Sequence, residues 1–225
     1  MLKFCICIQF FLLIQVSSAF SEEKINKPHF RISYGGGADR APFVQLIQTI
    51  YEELGFNVSI ISIPARRGMI LLNDGLVDGD VIRLKRTVVK YNNVVVVEPA
   101  LGKGNLVLLC HKGIPCDLSV LQDKTVQINS HAGILNLFDV GELNAQIIMS
   151  EMTTNTLHMI EKNRVFYSLY TMDDPMLRDL STQFNHVKIK DISGYHVINK
   201  KHAHLLPKIQ QKLRQKLPAF IASRV

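Results

Sequence analysis

Hydrophobic and polar residues alternate in a way that breaks the chain into short strands and amphipathic helices. Residues 30–34 have strand composition and run into Gly35-Gly36-Gly37, where backbone can turn or approach a ligand closely. Val44, Ile47, Ile50, Tyr51 and Leu54 then recur at helical spacing, with Pro42 in the first turn and Gly55 as the stop. Residues 58–63 read as a strand and 65–72 as a helix. Asn73-Asp74-Gly75 ends that helix, and residues 77–84 form a third strand.

The same order returns downstream. Residues 125–129 form a strand leading into Ser130-His131-Ala132-Gly133; a helix starts over 134–138, followed by a strand at 145–149, a helix at 154–162 and a strand at 165–170. Between the two sets, 94–97 and 106–109 read as two connecting strands, separated by Glu98-Pro99 and Gly102-Lys103-Gly104. Short strands at 187–189 and 194–198 precede a terminal helix that carries Leu206, Ile209, Leu213, Leu217 and Phe220 on one stripe. Pro207 is tolerated in its first turn, and Pro218 bends or ends it. That helix is expected to pack back on the first lobe. The expectation is an α/β protein of two lobes, each a mixed sheet flanked by helices: lobe one from 28–106 plus 184–225, lobe two from 107–183.

Composition narrows the class. The 225 residues are 47% hydrophobic and 20% charged, with 13 Gly, 8 Pro and no low-complexity tract, which suits a globular domain and excludes disordered, collagen-like and coiled-coil chains. One segment, 4–16, is apolar enough for membrane insertion, behind Lys3 and ahead of Ser17-Ser18-Ala19. It reads as a secretory signal cleaved after Ala19, making 1–19 a signal peptide, with a buried helix or an anchor as the alternatives. Removing it takes away one Lys and no acid, so the formal charge falls from +7 to +6. A basic exported protein attracts anions, but its Lys and Arg lack the aromatic interleaving of a nucleic-acid groove. In an oxidising compartment Cys110 and Cys116, flanking Gly113 and Pro115, read as a disulfide; a metal site from Cys110, His111 and Cys116 competes.

Ligands in open α/β sheets collect where strands lead into helix N-termini. Two facing lobes would therefore offer Tyr34, Gly35 and Gly36, Arg66 and Arg67, and Arg83 with Lys85 from the first set, and Ser130, His131, Gly133, Tyr170, Thr171 and Asp173 from the second. The arginines matter most, because a guanidinium grips a carboxylate or phosphate through two hydrogen bonds. Arg66 and Arg67 have capping or solvation as their plainer role, and Arg67 could pair with Asp74 or Asp78. Arg83 faces the cleft unless Asp80 or Glu98 claims it. His131 is either a ligand contact or a loop residue. The three glycines lack a dinucleotide fingerprint and the Lys-Ser/Thr of a phosphate loop, so no cofactor is expected. No nucleophile with a base, paired acid or metal cluster has convincing spacing. His196, His202 and His204 read as surface or capping groups, and Asp173-Asp174-Pro175 as a turn and helix cap.

Pro42-Phe43 before the first helix, residues 67–84 (RGMILLNDGLVDGDVIRL), Tyr91-Asn92-Asn93-Val94 through Leu101, residues 121–126 and residues 194–202 together resemble the bacterial extracellular solute-binding protein family 3. The resemblance spans nearly all of the mature chain. It implies a two-lobed type II periplasmic-binding-protein fold that closes on a small polar, anionic or amino-acid-like solute, in a periplasmic monomer serving an inner-membrane permease or a sensor. The chain departs from the family's pattern at Val44-Gln45-Leu46-Ile47, which lacks the acidic motif of amino-acid binders, and at Arg83-Leu84-Lys85-Arg86-Thr87. A periplasmic enzyme on the same scaffold, dehydratase-like, with Asp80, His131 or Asp173 as reacting groups, and a ligand-sensing partner of a membrane receptor are the other classes.

Overall fold

The structure, a computed structural model, describes residues 27–35, 40–150 and 153–224. The signal-peptide reading and Gly36 lie outside the described residues. Strands β1 (His29–Tyr34), β2 (Asn57–Ser62), β3 (Gly79–Leu84), β4 (Val94–Cys110), β5 (Gln127–His131), β6 (Gln146–Ser150), β7 (Tyr167–Met172) and β8 (Asn185–Asn199) join in one sheet. Its order is β2-β1-β3-β8-β4-β7-β5-β6. The helices are α1 (Ala41–Glu53), α2 (Ala65–Asn73), α3 (Lys85–Val88), α4 (Ala132–Leu135), α5 (Thr153–Glu161), α6 (Asp174–Ser181) and α7 (Leu206–Ala222).

β1, β2 and β3 are parallel, as are β5, β6 and β7, while β4 and β8 cross the middle antiparallel to one another and to their neighbours. The 94–97 and 106–109 runs, read as two strands, are one; so are 187–189 and 194–198. The sequence looks interrupted because Pro99, Gly102 and Gly104 are strand breakers, but Pro99 falls within a shift of the β4–β8 register that ends at Gly102, and Gly104 pairs in register with Ile192. A bulge absorbs an irregular residue, and a Pro outside the ladder forfeits no hydrogen bond. The two halves of the sheet are therefore joined by a two-stranded ribbon rather than by flexible linkers.

Each half has its own apolar cores. On one face of the first half, Ile47, Ile50 and Tyr51 of α1 meet Ile209, Leu213 and Leu217 of α7 over Phe30, Ile32, Val81 and Val97. The i, i+4 spacing in α7 builds that stripe, and the helix runs past Pro218 to Ala222. Met69 and Leu72 of α2 cover the other face with Val77, Val88 and Val197. β3 is consequently buried on both sides, which explains its near-continuous burial. In the second half Ile160, Leu180 and Phe184 pack on one face of the sheet. Val120, Leu121, Ile134 and Leu137 pack on the other. Cys110 and Cys116 are disulfide-bonded, so neither thiolate is available to the competing metal site.

His196, expected at the surface, is fully buried on β8. Its Nδ1 lies 2.8 Å from the Asp80 carbonyl and its Nε2 lies 2.9 Å from the Tyr51 hydroxyl. Since a carbonyl only accepts, Nδ1 carries the proton and Nε2 accepts from Tyr51. Burial holds this imidazole neutral, with its pKa lowered to about 4, and lifts the Tyr51 phenol well above its ordinary value. Asp78, one pleat along, is gripped at Oδ1 by Lys201 and His202, 2.9 Å each, while Oδ2 accepts from the Arg31 N–H at 2.9 Å. Burial works against the charge here, but these bonds outweigh it and hold the carboxyl at about 2.

A histidine that is neutral when folded and ordinary when unfolded supports the fold above pH 6.5 and loses that support as pH falls toward 4. For His196 the loss approaches about 3 kcal/mol once both pKa values are passed. Urea unfolding followed from pH 7 to pH 4 should show stability declining across this window. A flat stability over that range would mean that the imidazole is not buried neutral.

Candidate functional site

A cavity of about 330 Å³ lies between the two halves of the sheet. Arg40 and Phe43 at the start of α1, Ala65, Arg66 and Met69 of α2, and Ile82, Arg83 and Leu84 of β3 form one wall, with Lys90 and Tyr91 beyond α3. The opposite wall is His131, Gly133, Ile134 and Asn136 around α4, and Thr171, Met172 and Asp173 at the end of β7. The ribbon supplies Gly102, Lys103 and Gly104 from β4 and Ile192 and Gly194 from β8. The glycines matter here: a Cβ on Gly104 would stand 2.6 Å from the Met172 carbonyl oxygen, so any side chain would push the ribbon away from β7.

Arg83 is the centre of the first wall. Its side chain is 93% buried, at 7% exposure, and its Nη2 donates to Asp80 Oδ2 at 2.5 Å. Asp80 is fully buried, and the same oxygen accepts from the Ser33 hydroxyl at 2.7 Å. Such a pair exists only because each charge compensates the other in a medium that solvates neither. Gly68 of α2 makes room for it: a Cβ there would lie 3.2 Å from Arg83 Nη2 and 3.4 Å from Asp80 Oδ2. Arg83 therefore both pairs with Asp80 and lines the cavity, combining two readings that the sequence set against one another. Its Nε remains buried without a partner among the described residues, as does Asp80 Oδ1.

His131 stands on the second wall at the end of β5. Its Nδ1 accepts the Gly133 N–H at 3.1 Å, capping α4. Nε2 must therefore carry the ring proton, and it is buried with no acceptor among the described residues. Burial, and after it the charges of Arg40 and Arg83, lower its pKa to about 4. At neutral pH the group is an uncharged hydrogen-bond donor. Each wall of the cavity thus includes a residue with a buried N–H that lacks an acceptor among the described residues, and the lining carries a preponderance of cations; that arrangement suits an oxygen acceptor carrying negative charge.

Of the residues singled out in the sequence, Arg66, Arg83, His131, Gly133, Thr171 and Asp173 line this cavity together. Arg67 is exposed on α2 and is not among the lining residues. Asp78, offered as its partner, is claimed by Arg31, Lys201 and His202 instead. Tyr34 packs against the core of the first half, and Gly35 lies behind the Arg40 guanidinium. Ser130 is buried with its hydroxyl 3.3 Å from the His131 carbonyl, and Tyr170 belongs to the core of the second half. Ser130 and Tyr170 lie inside β5 and β7, whose ends fall two residues later than the pattern suggested, and alternate residues of a strand face opposite sides. The sequence reading missed Arg40, Lys90 and Lys103. Lys103 sat in a glycine-rich link with no element assigned to it, and only the pairing of β4 with β8 puts it at the cavity floor.

No helix among the described residues is long and apolar enough to cross a membrane. No family model and no curated protein matches the sequence. Solved structures do match in shape. An ancestral amino-acid-binding protein, described as a precursor of cyclohexadienyl dehydratase, superposes with a TM-score of 0.71 at 14% identity, over 87% of this chain and 94% of that one. A putative L-cystine ABC transporter protein from Listeria monocytogenes gives 0.70 at 14% identity, over 84% and 90%. The GluR0 ligand-binding core in complex with L-glutamate gives 0.69 at 9% identity, over 88% and 96%. The chain has the two-lobed fold of the type II periplasmic binding proteins.

Proposed function

We propose that this protein is an exported solute-binding protein that captures a small anionic molecule by closing its two lobes, delivering it to a permease or reporting it to a sensor. Lobe one would be residues 28–106 plus 184–225 and lobe two 107–183. The observation that carries the reading is the interlobe cavity with Arg83 on one wall and His131 on the other, each holding a buried N–H that lacks an acceptor among the described residues. A ligand oxygen satisfying both would be bonded only in the closed arrangement, so binding would favour closure by the free energy of those contacts. The disulfide supports export, because such bridges persist in oxidising compartments. The apolar segment at 4–16 behind Lys3 supports it independently.

An enzyme on this scaffold is the second reading, favoured by a neutral histidine in the cavity and by the likeness to a dehydratase precursor. The hydrogen bond from Gly133 to Nδ1 weighs against it: with its proton on Nε2, His131 faces the cavity as a donor and is the wrong tautomer for a base acting there.

Two outcomes check the proposal. Scattering and thermal denaturation with a panel of organic anions should show a smaller radius and a higher melting temperature for at least one compound; a body that neither contracts nor gains stability would overturn it. Arg83→Met alone leaves the Asp80 carboxylate buried and unpaired and should cost about 3–5 kcal/mol in urea unfolding. The double change Arg83→Met with Asp80→Asn should recover most of that stability while losing the ligand-induced shift, separating the binding role of Arg83 from its structural one.

A further inference from the structure

The charge of the cavity is one-sided. Arg66 and Lys90 line it from the first half and Lys103 from the ribbon, in addition to Arg83 with its buried counter-ion. Among the described lining residues Asp173 is the sole acid. Its carboxylate is already engaged twice: Oδ1 accepts the Met176 N–H at 3.1 Å as the cap of α6, and Oδ2 is held by Arg224 Nη2. Arg224 follows the end of α7, so the last turn of the chain reaches across from the first half to the second. It is fixed there, with its guanidinium 4.6 Å from the centre of the Phe43 ring and 5.5 Å from that of Phe220. Stacking of this kind orients the planar group and leaves its edge for the carboxylate.

An ammonium leaving water has to find an anion or acceptors of comparable strength, and a cavity rich in cations repels it further. We propose that Arg224 makes the cavity selective for organic acids without an ammonium group, by holding the Asp173 carboxylate that would otherwise accept one. Arg83 and His131, on opposite walls of the cavity, receive the acid oxygens. Met69, Ile82 and Ile192 offer apolar surface to a hydrocarbon body. A volume of about 330 Å³ lies at the lower end for small-molecule sites, which limits that body to a compact one. This inference rests on the solute-capture reading and adds to it the class of solute and the residue that sets it.

The test compares pairs of compounds that differ by the amino group: 3-phenylpropionate with L-phenylalanine, glutarate with L-glutamate, 4-methylpentanoate with L-leucine, and further pairs of the same design. Calorimetry on the native protein should find a deaminated acid that binds at least about tenfold more tightly than its amino acid. Arg224→Gln, which releases Asp173, should shrink that preference about tenfold, whereas Arg224→Lys should retain it. Tighter binding of an amino acid by the unaltered protein would overturn the inference and leave capture intact. An unchanged preference in Arg224→Gln would remove Arg224 from the selection. If no pair produced any binding, the capture reading would itself fall, and this inference with it.

Discussion

A fully buried carboxylate, Asp80, ties the molecule together. Removing a charge from water costs several kcal/mol, so a carboxylate sits at this position only where its neighbours supply what water would have supplied. Ser33 of β1 donates to it and Arg83 of β3 pairs with it. Its own backbone carbonyl accepts from His196 of β8, which is in turn held by Tyr51 of α1. Gly68 lets α2 come close enough to seal the pair from above. Five elements, β1, β3, β8, α1 and α2, therefore meet around this one residue, and its carboxylate holds the guanidinium of Arg83.

The ribbon of β4 and β8 supplies the second constraint. Continuous strands transmit the position of one half to the other, while the register shifts beside Gly102 and Leu106 are where the ladder is locally weakest. A two-stranded crossing with irregular pairing at its centre can bend with few broken hydrogen bonds, as hinge closure requires. On either side of the cavity, charged pairs bridge the halves: Arg224 to Asp173, and Arg86 to Asp139, with Arg86 also within 3.4 Å of the Leu137 carbonyl. The outer pair at Arg86 is solvent-exposed and screened, so it guides the approach of the halves more than it holds them.

Much of the architecture was legible in the residue pattern. The apolar spacing of 44–54 gave α1, Gly75 gave the end of α2, and the strand-helix repetition gave two similar units, since each of these depends on contacts within about a dozen residues. Arg83 and Arg66 were legible as cavity residues because the strand and helix that carry them were read with nearly correct ends. Tyr34 and Gly35 followed a strand read with nearly correct ends, yet they meet the core and the Arg40 guanidinium; Ser130 and Tyr170 were put at the ends of strands read two residues too early, and they lie inside β5 and β7. Which side of a sheet a residue faces turns on a shift of a single position.

By itself, the sequence determined the local elements, the basic balance and the cysteine pair, because hydrophobic period, turn residues and composition act over short stretches of chain. The tertiary structure alone decided that 94–97 and 106–109 are one strand, that His196 is a buried neutral imidazole, and that Arg224 meets Asp173 from 51 residues away in sequence. Each of these depends on what lies opposite once distant segments pack. Pairing across a sheet and burial of a charge are properties of the neighbours a residue acquires, and no local pattern records them.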